Sequence, residues 1–584
     1  MELYMKNIKL KNNSFYLISL LLITLLYCII TQFLFPMFSV MKMNFSIIDI
    51  LYIYLFSIIS YILSDKNKYI SYFFIIVAVF SFFAIEPLGI TIEAKPLFFT
   101  DMPDLYPSLI EVLPLYMKII TISATTLYFG LLFAYALYFI YRLIKMYKIN
   151  IKKAVIMTLI VAAVTYISFF RNIKMDSIYV DYISIANKYG IINTISYRIS
   201  YDKFMKVNAD IESVKEAINI LKEAESKRDI SHLILSYDTD KKRDVFLIFL
   251  ESFYDYEHFL PLLDKDPFPK EYREWASNSS KVGPNDGYGS LFARTSGLTG
   301  TSPIFPKKQK TPIYTTLPYL MKENGYHTIA LEESDVTYYL DALFPNIGID
   351  EVIFNLGLTN IKNYIKTNDF DEPVFVTGFT FMGHAGSHVE NDLDVYENNK
   401  RFMEKIDKRD IPVLVETMEN SALSAKDIID TKNVILEKYP DALIIFKHDH
   451  LYPYLKTIID NSSIDDSIKE DFFYSYDISP ILIWNGTNGY YKFEEDGFPP
   501  ENIPMFIAAN TKANYTNSVI SLMYKDNTDG IIRFYNSFYT NDNGKIVRVE
   551  IDRNSLSYKL NNAQRILSED LFRGKKYFYK CIDN

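Results

Sequence analysis

Residues 244–251 read Asp244-Val-Phe-Leu-Ile-Phe-Leu-Glu251, an unbroken apolar run closed by a carboxylate. Similar runs recur at 328–332, 374–377, 442–446 and 478–484, and helix-like stretches such as 315–324 and 424–438 lie between several of them. Short, fully apolar strands alternating with helices describe an α/β sheet buried on both faces. In such sheets ligands collect at the carboxyl ends of the strands. Glu251 and the cluster Lys447-His448-Asp449-His450 both fall at strand ends, so groups distant in sequence can share one edge.

Carboxylate and imidazole ligands suit zinc or manganese. A bound divalent ion lowers the pKa of a coordinated hydroxyl and offsets charge on a phosphoryl oxygen. Ser290 ends the glycine-rich turn Gly287-Tyr-Gly-Ser290, where neighbouring glycines allow a tight backbone path that exposes the hydroxyl. A serine so placed can attack phosphorus once a metal or base has activated it. Taken singly these signals are weak, since a Glu at a strand end is usually solvated or a cap and most isolated Asp-His pairs bind no metal.

Upstream the composition changes. Of the 584 residues 49% are hydrophobic and 16% aromatic, which is high for a purely soluble protein and favours a membrane part joined to a large globular part. Five apolar spans run over 14–36, 47–63, 69–90, 116–143 and 154–170. Each is long enough for a bilayer-crossing helix, the second and fifth marginally so. A cleaved signal peptide is disfavoured by the length of the first span and by the four that follow. Lys6, Lys9, Lys11, Lys66, Lys68, Arg142, Lys145, Lys148, Lys152 and Lys153 all fall on one side of such a bundle. The positive-inside rule therefore expects a cytoplasmic N-terminus and, after five crossings, an external C-terminal domain. Between 176 and 238, Ile211, Val214, Ala217, Ile218, Ile220, Leu221 and Ala224 recur at roughly helical spacing. That pattern suits an amphipathic helix on the membrane or on the soluble domain, and equally a plain helical linker. The expected division is a membrane domain over 1–172, a helical linker over 173–238 and a catalytic domain over 239–584.

The net charge of -9 and the lack of a basic block in the second half argue against nucleic acid as a partner. Cys28 and Cys581 are the only cysteines, too few and too far apart for a structural disulfide or a cysteine zinc site.

Glu251 within Leu-Glu-Ser-Phe, Ser290 followed by Leu298-Thr299-Gly300, and the late Asp449-His450 together resemble the alkaline phosphatase superfamily. Within it the chain is most similar to the sulfatase-like membrane transferases: lipoteichoic acid synthases, phosphoglycerol transferases and phosphoethanolamine transferases. The resemblance implies an N-terminal all-α polytopic membrane domain, a helical linker and an extracytoplasmic α/β alkaline-phosphatase-like (sulfatase) domain. It implies one zinc or manganese ion on Glu251, Ser290, Asp449 and His450, with Ser290 accepting the phosphoryl group. The implied partners are a phospholipid donor and an envelope glycan or lipid acceptor, at a bacterial cell membrane with the catalytic domain periplasmic or extracellular.

Two departures stand out. Sulfatases carry C/S-x-P-x-R, and Ser290-Leu-Phe-Ala-Arg294 keeps the arginine, expected to bind substrate, but has Phe292 in place of proline. This favours transfer through an ordinary serine ester over formylglycine maturation. The transferases' usual nucleophile is threonine, for which serine supplies an equivalent alkoxide.

Gly378-Phe-Thr-Phe-Met-Gly-His384-Ala-Gly-Ser-His388 follows the 374–377 strand. By resemblance, a histidine here faces the substrate phosphate. His384 is the better match and His388 the runner-up, as hydrogen-bond donor to phosphate or proton donor to the leaving alcohol. His448 is expected behind the metal pair, and His232, His258 and His327 at the surface or in packing. Glu332-Glu333-Ser-Asp335 is expected at the same edge, either meeting a cationic head group or simply solvated, and 300–312, with Lys307, Lys308 and Lys310, as a basic loop near anionic lipid heads. The rival readings are a membrane-anchored sulfatase or phosphodiesterase that hydrolyses its substrate, and a scaffold with a degenerate hydrolase domain.

Overall fold

The structure is a computed structural model. It describes residues 207–582 except 237–241, 283–289, 302–310, 335–339, 385–392, 453–454, 476–478, 494–496, 512, 517, 528–529, 535–536 and 543–544. Of residues 1–206 it describes 193–199 and a few isolated positions. Apart from isolated positions within 47–63 and 116–143, the five apolar spans lie outside the described residues, as do His388, Asp335 and the three lysines of the basic loop. Among the described residues no helix is long and apolar enough to cross a membrane.

The chain divides into two compact units, Met1–Lys206 and Val207–Asn584. The second is built on an eight-stranded sheet. Its strands are β1 (Val245–Leu250), β2 (Ser280–Val282), β3 (His327–Glu332), β4 (Glu351–Ile353), β5 (Val374–Thr380), β6 (Leu443–His448), β7 (Ser479–Asn485) and β8 (Tyr490–Tyr491), in the order β2-β7-β6-β1-β5-β3-β4 with β8 on β7. All six residues of β1 are buried, as an apolar run without alternation requires of a strand covered on both faces. β1 lies between β5 and β6, parallel to both, with Leu250 opposite Thr380 on one side and His448 on the other. The strand ending in Trp484 belongs to an antiparallel edge, since β7 runs against β6 and β2 against β7. The apolar run there carries no mark of strand direction, because burial is the same for either orientation.

The helices used below are α1 (Ile211–Ser226), α2 (Lys270–Ser277), α3 (Ser290–Thr299), α4 (Leu317–Glu323), α5 (Ile411–Lys438), α6 (Ile503–Ala509) and α7 (Leu556–Phe572). Val245, Leu247 and Phe249 of β1 share a core with residues of α1, α4, α6 and α7. The alternate residues face the other layer, where Trp275 of α2 meets Phe446 edge-on at 5.9 Å. α5 begins at Ile411, well before the 424 expected from its apolar spacing. Pro412 in its first turn is compatible with a helix start, and its buried face includes Asn420, Ser421 and Ser424, so hydropathy understates the helix. A small antiparallel sheet, β9 (Ile532–Phe534), β10 (Ser537–Asp542) and β11 (Lys545–Arg548), had no counterpart in the sequence reading.

α1 lies on the α/β unit. Asp210 caps it by accepting from Ser213 N at 2.9 Å, and Val214, Ala217, Ile218 and Leu221 are buried in the core shared with Leu560, Ala563 and Leu567 of α7. Arg228, just beyond α1, donates through Nη1 to Ser521 O at 2.7 Å and sits over the Tyr524 ring at 4.9 Å.

Candidate active site and metal centre

Glu251 follows β1 and Asp449-His450 follow β6, so two adjacent parallel strands deliver them to one edge. Backbone bonding continues past the strands, Asp449 N donating to Leu250 O at 2.9 Å. Ser290 is the first residue of α3, whose N-terminal end favours negative charge. Its hydroxyl donates to Glu251 Oε2 at 2.8 Å and lies 3.3 Å from His450 Nε2. The α3 helix reaches this position by pressing on β1 through Gly297, where an added Cβ would come within 2.6 Å of the Phe249 ring. Gly300, in the left-handed region with φ 72°, ends the helix and donates to Ser296 O at 2.7 Å.

Ligand atoms of Glu251, Asp449 and His450 all lie within 4.8 Å of one another. His450 Nε2 is 3.4 Å from Glu251 Oε1 and 3.5 Å from Asp449 Oδ2. A tetrahedral zinc ion with ligands at about 2.0 Å separates them by about 3.3 Å, so the two separations from His450 fit residues that could share a single ion. His450 Nδ1 lies 3.0 Å from Leu451 O, which can only accept, so Nδ1 carries a proton and Nε2 is the nitrogen turned toward the carboxylates, the one that could ligate an ion once deprotonated.

The charges fit the same conclusion. Burial opposes ionisation of Glu251, but His450, His384 and the Ser252 and Ser290 hydroxyls outweigh it and hold the carboxyl below its ordinary range. Asp449 moves the other way: burial and the neighbouring Glu251 push it up to about 7. Burial disfavours the His450 cation, yet the two carboxylates outweigh it and raise its pKa. Two buried carboxylates that repel each other beside one imidazole form a donor set that a divalent cation would neutralise.

His384 stands in the loop after β5. Its ring stacks on Phe381 at 4.5 Å and 16°, and its backbone N–H donates to Phe381 O at 3.1 Å. Met382-Gly383-His384 crosses directly over the backbone of Glu251, which is why glycine precedes the histidine.

Arg294, expected at the substrate, is only 3% exposed. It faces inward from α3, its Nη2 paired with Glu332 Oε1 and its guanidinium 4.3 Å over the Phe379 ring. Glu332 and Glu333 are neither solvated nor open to a head group. Glu332 is 1% exposed and bound to Arg294, and Glu333 Oε2 accepts from Phe381 N at 3.0 Å. β3 ends in Glu332 and Glu333 follows it, and the partners of both come from other elements. His448 is buried on β6 opposite Leu250, and burial keeps its pKa well below the usual value. His232 Nε2 lies 3.1 Å from Tyr524 Oη, while His258 and His327 lie beside Glu257 and Glu351. Two residues that position the site, Ser252 and Gly297, are not singled out by the sequence, whereas Gly383 enters it as part of the Met-Gly that marks His384. Gly297 leaves no pattern to read, but the hydroxyl next to Glu251 in Leu-Glu-Ser-Phe could have been noticed.

Neither a family model nor a curated relative matches the chain. Among solved structures it is similar to a protein of the alkaline phosphatase superfamily from Vibrio parahaemolyticus, at 14% identity over 63% of this chain and 98% of that one, TM-score 0.41. It is similar to the lipoteichoic acid synthase LtaP from Listeria monocytogenes at 12% identity, covering 59% and 92% of the two chains, TM-score 0.41. It is also similar to the Streptococcus pyogenes phosphoglycerol transferase GacH, solved with sn-glycerol-1-phosphate, at 12% identity over 64% and 96%, TM-score 0.41.

Proposed function

We propose that this chain transfers a phosphate-linked head group, phosphoglycerol or phosphoethanolamine, from a phospholipid to an envelope glycan or lipid, using Ser290 as nucleophile and one zinc or manganese ion. The observation that supports this most is the placement of the Ser290 hydroxyl at a helix N-terminus, 2.8 Å from Glu251 and 3.3 Å from His450. Glu251, Asp449 and His450 would hold the ion together with Ser290 Oγ. When bound, the ion lowers the pKa of the serine hydroxyl and offsets phosphoryl charge. The five apolar spans over 14–170 would keep the domain at the bilayer, outside the cytoplasm, where the lipid donor and the diacylglycerol product reside.

In the first half-reaction Ser290 Oγ bonds to phosphorus, its proton leaving along the hydrogen bond to Glu251. The phosphorus–oxygen bond to diacylglycerol breaks, and protonated His384 supplies the departing oxygen with its proton. In the second, an acceptor hydroxyl gives its proton to His384 and displaces Ser290, which recovers its own. His388 is the runner-up for the proton role. Phe292 in place of the sulfatase proline favours this serine ester over formylglycine chemistry.

The test is peptide mass analysis of the segment around Ser290 together with two substitutions. Ser290→Ala should eliminate turnover, and Ser290→Thr should retain part of it. The wild-type peptide should carry unmodified serine or a head-group phosphoester. An aldehyde mass at Ser290 together with a folded, metal-binding but inactive Ser290→Thr variant would favour a sulfatase instead.

A further inference from the structure

Ser252, next to Glu251, occupies the left-handed region with φ 48° although it is not glycine. Glycine adopts that conformation freely, whereas a side chain there is strained and persists only when something else requires it. The requirement is visible in its partners. The Ser252 hydroxyl donates to Glu251 Oε1 at 2.5 Å, and its backbone N–H donates to Asp449 Oδ1 at 2.9 Å. Asp449 Oδ1 also accepts from His450 N at 2.5 Å, and Ser290 takes Glu251 Oε2. One strained residue, 7% exposed, thus touches both carboxylates of the candidate metal centre.

We infer that Ser252 is a positioning residue that orients both carboxylate ligands before the ion arrives: its left-handed backbone aims the N–H at Asp449, and its hydroxyl fixes the Glu251 carboxylate with one oxygen toward Ser290. The inference rests on the metal-centre reading above. A hydroxyl bonded to a ligating carboxylate stops that carboxylate rotating, so binding need not supply the ordering entropy. Loss of such a partner typically weakens metal binding about 10- to 100-fold.

The experiment is a zinc titration of the full-length protein against a chromophoric chelator, for wild type, Ser252→Ala and Ser252→Gly, with thermal melts of the metal-free forms. Ser252→Gly keeps the N–H and relieves the backbone, so it removes the hydroxyl without threatening the fold. The expected result is one zinc per wild-type chain, about 10- to 100-fold weaker binding in both variants, and a metal-free melting temperature in Ser252→Gly no lower than wild type. Zinc affinity in Ser252→Gly equal to wild type would overturn the inference and leave the metal centre standing. Absence of both zinc and manganese binding in wild type, manganese being titrated in the same way, would overturn both.

Discussion

Gly383 crosses the backbone of Glu251 so closely that a Cβ on Gly383 would overlap the Glu251 carbonyl oxygen and lie 2.8 Å from its carbonyl carbon. The loop carrying His384 is thereby seated on the residue that heads the candidate metal centre. Backbone atoms cannot swing aside as a side-chain tip can. Gly383→Ala should therefore cost about 2–4 kcal/mol in stability, near the upper end for overpacked sites. Urea denaturation measures the cost. A loss under about 0.5 kcal/mol would mean that the loop is free to lift away.

Gly297 meets a softer obstacle, the ring of Phe249 at 2.6 and 2.9 Å. In an unconstrained helix Gly→Ala stabilises by about 1 kcal/mol, but here the new methyl pushes α3, and Ser290 with it, away from β1. Gly297→Ala should destabilise by about 1–3 kcal/mol. Adding Phe249→Leu should restore most of the loss by making room, as a double-mutant cycle in urea would show.

Breaking a buried ion pair leaves a charge without its partner. Arg294→Met or Glu332→Leu alone should cost about 3–5 kcal/mol, while the double substitution should return close to wild-type stability. The doubly substituted protein also reports on the role of Arg294. If the pair only braces α3, KM for the proposed phospholipid donor stays near wild type. A stable double variant with strongly raised KM would return Arg294 to the substrate.

Burial raises the Glu333 carboxyl to about 7 against the Phe381 N–H that lowers it, with Asp427 adding to the rise. The folded state therefore holds this proton more tightly than the unfolded chain, whose glutamate titrates near about 4.3. Stability from this group is present at the acid end and is lost as pH rises from the unfolded value through about 7. Between pH 5 and 7.5 the wild type should lose about 1–3 kcal/mol that Glu333→Gln does not lose. Parallel pH profiles of the two proteins would refute the shift.

The docking of α1 on α7 sets where a stable fragment must begin. The α/β unit starts at Val207, and cutting at residue 231 removes Val214, Ala217, Ile218 and Leu221 from the shared core. A fragment from 231 should melt lower than one from 207 by roughly 10 °C, reflecting several kcal/mol of lost burial. Equal melting temperatures would show that the helix contributes nothing to the fold.

The α/β core was legible because burial on both faces writes itself locally, as in Val245–Leu250, where every residue must be apolar whatever lies next to it. Glu251, Ser290 and Asp449-His450 could be singled out for a related reason: metal and nucleophile chemistry draws on few residue types, placed where strands or turns end. Strand direction at β7, the inward path of Arg294 and Glu332, and the left-handed turn of Ser252 were not legible. Each depends on a partner dozens to hundreds of residues away, as Glu332 lies on Arg294 and Ser252 N on Asp449. A charged side chain looks the same in sequence whether it meets water or a buried counter-ion, and a glycine looks the same in a free loop or against another backbone. The amino-acid order by itself determined which segments are buried and which residues can do chemistry. Only the tertiary structure decided which charges neutralise each other and which atoms meet, because those are long-range contacts that hydropathy does not encode.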